Sequence, residues 1–407
     1  MVFRLRKPRF KNTMISTPNE KITSKRPHRS GVIKLVWQNP GISRSNVAKQ
    51  LGITKSTVSS LVQELELDGW LRTGEGGISL AMGRPSIPLY LNEARFVLLG
   101  AEINLTEISC VATNIDGEIL ARESIAGDFS NAASAISSLA KCVKKLRADH
   151  ALNARTILGL GVGIPGPVDA SRGLVLKAPS LGWENMPFLS LLQKQIPEIP
   201  EDRIFVDNDA NLSVMAVYLF GSHKHDGDLL YVHMTTGIGG GLILDHRLYH
   251  GQRGFAGEWG HMTVAPNGQK CLCGSVGCAE TLFSLNAIQS AIETGTGERP
   301  DLQRILELLE QRHPIVVKII HKTANHLGTF LGNLANIFDP KLMILGGRVA
   351  EIGDALIQPA TQELERRLFG KDYRHVSVER CSFGLDSVTI GAAGFAFHHL
   401  LQSNISE

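Results

Sequence analysis

The chain has 407 residues, 43% of them hydrophobic and 20% charged, which excludes a wholly disordered chain, a collagen and a coiled-coil rod. At about 150 residues per domain, it holds two or three domains. Its net charge of +3 hides a split: residues 1–90 carry 15 Lys and Arg against 5 Asp and Glu, and the remainder carries 27 against 34. A basic front suits a phosphate polymer, and an acidic body does not.

Residues 1–26 carry Arg4, Arg6, Lys7, Arg9, Lys11, Lys21, Lys25 and Arg26, broken by Pro8 and Pro18, and read as a basic, disordered arm. No apolar run follows it, so a secretory signal is not expected. No later segment reads as a membrane span, and the expected location is the cytoplasm.

Residues 27–92 have the pattern of a winged helix-turn-helix. His28–Gln38 puts Val32, Leu35 and Val36 on one helical face, and Asn39-Pro40-Gly41 ends the helix. Ser43 caps a second helix, in which Ala48 is small enough for a close crossing. Gly52 sits where a left-handed turn residue is needed. Thr54 caps a third helix whose Val58, Leu61, Val62 and Leu65 form a buried stripe. Lys55, Ser56, Thr57, Ser59 and Ser60 then fall on its outer face. Short hydroxyls and one Lys suit base edges and phosphates better than they suit a stable helix surface. Ser43, Arg44, Thr54, Lys55, Ser56, Thr57 and Ser59 are the expected contacts to double-stranded DNA, with the third helix in the major groove. Beyond Trp70-Leu71, alternation and glycines predict a wing hairpin. Its Arg84, between Gly83 and Pro85, either enters a minor groove or sits in a plain turn.

From residue 93 to the end, strands alternate with helices. Three strands near residues 96–125, a helix over 132–147 and strands at 157–164 and 204–209 are followed by a second set beginning at Asp228. This predicts an α/β body of two lobes, each a β-meander plus helices, with a ligand cleft between them. His261, Cys271, Cys273 and Cys278 form the sharpest local signal. Three thiolates and one imidazole complete a tetrahedral Zn²⁺ shell with no open position, so the expected zinc is structural. Val206-Asp207-Asn208-Asp209 lies at a strand-to-helix junction with polar side chains turned to a cleft. Thr235-Thr236-Gly237-Ile238-Gly239-Gly240-Gly241 is a Gly-rich turn that either cradles phosphate through its backbone or makes a tight hairpin.

Asn208-Asp209, Gly257-Glu258-Trp259-Gly260-His261 and Cys271-x-Cys273-Gly-x-x-Gly-Cys278-x-Glu280, in this order and spacing, resemble the ROK family of repressors and sugar kinases. The front resembles the winged helix-turn-helix of the family's xylose- and N-acetylglucosamine-type repressors. The resemblance implies a two-lobed sugar-kinase-like body of the actin-like ATPase, or ribonuclease H-like, class. It implies that Asn208, Asp209, Glu258, His261 and Glu280 hold sugar hydroxyls, that Asp209 matches the catalytic base of the kinases, and that His261 serves zinc and sugar together. It further places Pro165-Gly166 near the sugar and Trp183 and Asn185 in a lining loop. One motif departs. Family kinases begin the body with Asp-x-Gly-Gly-Thr-Lys, where this chain has Glu102-Ile103-Asn104-Leu105-Thr106-Glu107. Loss of both glycines keeps the backbone away from a polyphosphate, and Glu107 replaces a Lys, so no ATP is expected and kinase activity is expected to be very weak or absent.

The expectation is a repressor of sugar-uptake or catabolic genes, released from its operator by a monosaccharide and working as a homodimer or homotetramer. Two alternatives are an ATP-dependent sugar kinase with a DNA-binding appendage and a repressor controlled by a protein partner.

Overall fold

The computed structural model of the chain describes residues 25–74 and 87–402. Arg84 and nearly all of the basic arm lie outside the described residues. The chain divides into two compact units, the first running to Asn92 and the second spanning Glu93–Leu400.

The first unit contains α1 (Lys25–Gln38), β1 (Ile42–Ser43), α2 (Arg44–Leu51), α3 (Lys55–Leu67), β2 (Leu71–Thr73) and β3 (Pro88–Leu91). The strands form an antiparallel sheet in the order β1-β3-β2, which makes β2 and β3 the arms of the wing. The core face of α1 is Val32, Ile33, Val36 and Trp37, while Leu35 is only half-buried. The sequence reading had rotated this face slightly. Val58, Leu61, Val62 and Leu65 form the buried side of α3 as expected. Ser43 and Thr54 cap α2 and α3, accepting from the backbone N–H of Asn46 and Thr57, and Gly52 ends α2 at φ 66°.

The second unit begins with β4 (Phe96–Ile103), β5 (Glu107–Thr113), β6 (Ile119–Ala126), α4 (Ala132–Arg147), β7 (Thr156–Ile164), β8 (Val168–Asp169), β9 (Leu174–Ala178), β10 (Trp183–Met186), α5 (Phe188–Gln195), β11 (Ile204–Asn208) and α6 (Asp209–Phe220). It continues with β12 (Leu229–Met234), β13 (Ile238–Leu244), β14 (Arg247–Leu248), α7 (Glu280–Phe283), α8 (Leu285–Thr296), α9 (Leu302–Glu310), α10 (Pro314–Phe338), β15 (Leu342–Gly346), α11 (Asp354–Arg367), β16 (Ser377–Arg380) and α12 (Ser387–Gln402). Among the described residues, no helix is long and apolar enough to cross a membrane.

The two five-stranded sheets, β6-β5-β4-β7-β11 and β14-β13-β12-β15-β16, have one topology. In each, a strand makes an antiparallel meander on one side and two strands join in parallel on the other. The expected meander therefore covers three strands of each lobe, and crossovers supply the rest. Each sheet has its own hydrophobic core, one packed with α4 and α5, the other with α8, α10 and α11. Helices α6 and α12 cross closely: a Cβ on Gly391 would lie 1.8 Å from the carbonyl oxygen of Leu212.

The small sheet β8-β9-β10 and helix α5 were not anticipated. Strands of two to five residues between Pro and Gly turns leave too few positions for a periodicity to be read.

Candidate functional site

The junction of β11 and α6 is built by its own polar side chains. Asn208 caps α6, its Oδ1 accepting from the N–H groups of Ala210 (2.9 Å) and Asn211 (3.2 Å). Its Nδ2 donates to the carbonyl of Gly166 at 3.0 Å, which ties the junction to the Pro165-Gly166 turn. One Nδ2 hydrogen remains for a ligand. Asp209 follows at the first turn of α6. Burial raises its pKa, opposed by His233, by the Ala210 N–H and by the Asn208 side chain. His233 Nε2 lies 4.0 Å from Asp209 Oδ2, and among the described residues neither ring nitrogen of His233 has a hydrogen-bond partner. Burial lowers the pKa of His233, which keeps the ring neutral.

Glu258 and His261 flank Trp259 in a short 3₁₀ turn. The Trp259 ring lies flat on β13, where a Cβ on Gly240 would come within 2.2 Å of it. Burial pushes the Glu258 carboxyl upward; His261 opposes the shift, and Asp209 and Glu280 add to it. These four groups therefore sit within electrostatic reach of one another. Glu280 opens α7, with its carboxylate against the Gly237 backbone. The five expected sugar ligands thus reach one region from three separate stretches of chain.

The ligand atoms of His261, Cys271, Cys273 and Cys278 all lie within 4.8 Å of one another. Cys273 Sγ is 3.7 Å from Cys278 Sγ, and Cys271 Sγ is 3.8 Å from His261 Nδ1. These separations fit the edges of a tetrahedron with metal–sulfur bonds of about 2.3 Å. The loop closes through a Lys270–Val276 bridge and a Thr263–Cys278 bridge. Gly277 has φ 71°, and a Cβ there would lie 1.6 Å from the Ala265 carbonyl. Burial and crowding by the other two thiols push the Cys278 thiol up to about 12. A divalent cation reverses that penalty, so the donor set fits zinc.

The Glu102–Glu107 segment is the tight turn between β4 and β5. Asn104 Oδ1 accepts from the backbone N–H groups of Thr106 (3.1 Å) and Glu107 (2.8 Å). Both amides are thereby engaged within the turn itself. Burial pushes the Glu102 carboxyl up to about 8, with Asp209, Glu107 and Asp386 adding to the shift and Arg348 opposing it. The later glycines also have a packing role. Only Thr235–Gly237 turns, with the Thr235 N–H donating to the Gly237 carbonyl at 2.9 Å, while Gly239, Gly240 and Gly241 lie in β13. A Cβ on Gly241 would sit 2.3 Å from the Ala210 carbonyl, so this glycine lets α6 pack on the sheet.

On the first unit, Lys55, Ser56, Thr57, Ser59 and Ser60 are all exposed on α3. Thr54 Oγ1 lies 2.8 Å from the hydroxyls of both Ser56 and Thr57, and Ser59 Oγ donates to the Lys55 carbonyl. Arg44 faces Glu66 at 3.6 Å, so part of its charge is answered within the unit.

The resemblance also implies Trp183 and Asn185 in a lining loop. Trp183 is buried, donates its indole N–H to the Ser130 carbonyl at 3.0 Å and stacks on Phe188, so it serves the core. Asn185 lines a cavity beside β11 together with His250 and His399. Sequence reasoning placed Asp207 at the junction with the polar side chains turned to a cleft, where the structure buries it, and it missed His233 and His250. A lone His on a strand carries no local signal, and only the fold brings these groups to the junction.

Comparison with known proteins agrees with this geometry. Residues 98–398 match the ROK family, and residues 26–72 match a winged helix-turn-helix DNA-binding domain. A putative xylose repressor of Caldicellulosiruptor sp. strain Rt8B.4 is 31% identical over 362 residues, covering 86% of this chain and 90% of its own. A ROK family transcriptional regulator, described as a homolog of the E. coli MLC protein, superposes with a TM-score of 0.79 at 21% identity, covering 93% of this chain and 97% of its own. A ROK family glucokinase from Streptomyces griseus, solved with glucose and AMPPNP, has a TM-score of 0.67 at 28% identity, covering 74% of this chain and 99% of its own. The body's paired sheets, the glutamate, histidine and cysteine loop and the winged-helix front thus have one common explanation: the chain belongs to the ROK family and carries a winged helix-turn-helix DNA-binding domain.

Proposed function

We propose that the protein is a transcriptional repressor whose hold on DNA is set by a monosaccharide. The first unit binds a double-stranded operator through α3 and the wing, with Thr54, Lys55, Ser56, Thr57 and Ser59 against the major groove and Ser43 and Arg44 at the adjoining helix start. The body binds the sugar through Asn208, Asp209, Glu258, His261 and Glu280. A polyol needs many donors and acceptors, since each buried polar group left unpaired costs about 1–3 kcal/mol. His261, Cys271, Cys273 and Cys278 hold a structural zinc, which fixes the loop carrying His261 and Glu280 and leaves no open position for activating water. The protein acts as a homodimer on a two-fold operator.

One observation carries the choice of repressor over kinase. The hydroxyl-recognising cluster is retained, while Asn104 occupies the amides of the first phosphate loop. The xylose repressor among its relatives makes D-xylose the first sugar to try.

Fluorescence anisotropy tests the reading at fixed salt, with DNA from upstream of the protein's own gene and a panel of free sugars. Specific binding that one sugar weakens at micromolar to millimolar concentration is expected. An effector changes DNA affinity only through its differential affinity for the two states. A chain that binds no fragment above the non-specific level, or that turns over ATP with a hexose, overturns the reading.

A further inference from the structure

Asp207 is the residue just before the sugar-facing pair Asn208-Asp209, and it is fully buried. Its Oδ1 accepts from the Asn208 backbone N–H at 2.7 Å and from Asn211 Nδ2 at 2.9 Å. Its Oδ2 accepts from His250 Nε2 at 2.6 Å. Of these three donors only His250 can carry charge. A buried carboxylate without a cationic partner is costly, and truncating one member of such a pair costs far more than an exposed ion pair is worth.

The two partners come from different sheets. Asp207 is the penultimate residue of β11 in the first, and His250 follows β14 in the second, where the Tyr249 N–H donates to the Leu242 carbonyl at 2.8 Å. The loop that His250 opens runs on to Glu258. Along the way it presses on the first lobe: a Cβ on Gly254 would lie 2.4 Å from the Val168 carbonyl. The pair therefore joins the chain segment bearing Asn208 and Asp209 to the segment bearing Glu258.

We propose that His250 is a positioning residue for the sugar site, its ion pair with Asp207 holding the Asn208-Asp209 junction and the Glu258 loop in register across the two lobes. The inference rests on the sugar-binding reading and adds a residue that touches no sugar. His250 is half-buried and opens onto a cavity of about 1270 Å³ beside β11, which gives it access to solvent protons. Burial opposes its charged form, but the hydrogen bond and charge of Asp207 outweigh burial and hold its pKa above the ordinary histidine value.

Other charged groups line the same cavity. Lys177 on β9 and Arg253 in the loop itself are set against Asp169 on β8, Glu184 on β10, and Glu201 and Asp202 ahead of β11. His399 on α12 also faces Asp207 and His250, and burial keeps its pKa below the ordinary value. Among the described residues, Asp207 is the one carboxylate in direct contact with the His250 ring.

Isothermal titration of the full-length protein with D-xylose, D-glucose and N-acetyl-D-glucosamine from pH 6 to pH 9 tests the proposal. Wild-type affinity for the sugar it binds is expected to be highest where His250 is charged and to fall as pH rises through its raised pKa. His250→Gln, which keeps a donor but no charge, should bind about tenfold more weakly at pH 6 and lack that component of the slope. His250→Arg keeps the charge at every pH and should restore affinity while flattening the slope. Glu102 also titrates in this window, but in all three proteins alike, so the differences between them belong to His250. Equal affinities and slopes in wild type and both variants overturn the proposal while leaving sugar binding intact. If the wild type binds none of the sugars, the sugar reading falls and takes the proposal with it. Should His250→Gln fail to fold, the Arg variant decides alone: a slope unchanged from wild type sinks the idea.

Discussion

The two sheets of the body share a topology, yet the turns opening their first hairpins have diverged. Between β12 and β13, Thr235-Thr236-Gly237 leaves a short turn with the Glu280 carboxylate beside Gly237. Between β4 and β5, Asn104 folds back onto its own turn and takes the Thr106 and Glu107 amides. Phosphate recognition by a loop depends on unspent backbone N–H groups, and one Asx turn removes them as surely as a carboxylate repels the anion. Hydroxyl recognition depends on side chains instead, and those around Asp209 remain. Under the proposed reading, a fold built from two copies of one plan closes one end of its cleft to phosphate and keeps the other for a sugar.

The largest effect should come from breaking the kept end at its support. Cys278→Ser removes a buried thiolate from a four-ligand set. Zinc content should fall from about one per chain to near zero, and apparent zinc binding in such sites contributes on the order of 10 kcal/mol to local order. Elemental analysis with thermal melts would check this. Full zinc content in the variant would remove the metal from the account.

Next comes Asp209→Asn. The carboxylate becomes an amide that still fits beside Ala210 but loses the charge and one acceptor. Sugar affinity should fall about 10- to 100-fold by titration calorimetry, since hydrogen bonds to charged groups contribute about 1.5–3 kcal/mol. Zinc content and operator binding without sugar should not change. Unchanged sugar affinity would place the sugar elsewhere.

Much of this was legible in the sequence because its signals are local. Cysteines two and five positions apart can only meet in a loop, and capping residues followed by an apolar stripe mark α2 and α3 directly. The tight spacing of Gly239–Gly241 was legible too, but not its meaning, because the Trp259 ring and α6 that press on those glycines come from elsewhere in the chain. His250 and Asp207 stand 43 residues apart, and nothing near either one announces the other. The partner of the Trp183 indole, the Ser130 carbonyl, is equally remote, 53 residues away.

A smaller effect separates the cleft from the DNA-binding face. Lys55 is exposed at the start of α3. If it meets a phosphate, Lys55→Ala should weaken operator binding about tenfold and lower the log–log salt slope by roughly one. Sugar affinity and zinc content should stay at wild-type values. Full-strength operator binding by the variant would move the contact to another residue.

A pH-dependent difference in stability tests the turn between β4 and β5 alone. Glu102 titrates at about 8 in the folded chain and near the ordinary Glu value, about 4.3, when unfolded. Between those values the folded chain holds a proton that the unfolded chain has released. Stability therefore falls as pH rises through that window, and the full cost remains above it. Glu102→Gln cannot lose a proton, so its margin over wild type should widen by about 4 kcal/mol between pH 5 and pH 8.5, at about 1.4 kcal/mol per pH unit through the window. Paired melts at the two pH values measure the gap. A gap that widens with pH means that the carboxyl is held in a dry, acidic corner where a nucleotide's phosphates would have to sit. A gap that stays flat means that water reaches Glu102, and then the Asn104 turn alone would have to account for a closed phosphate end.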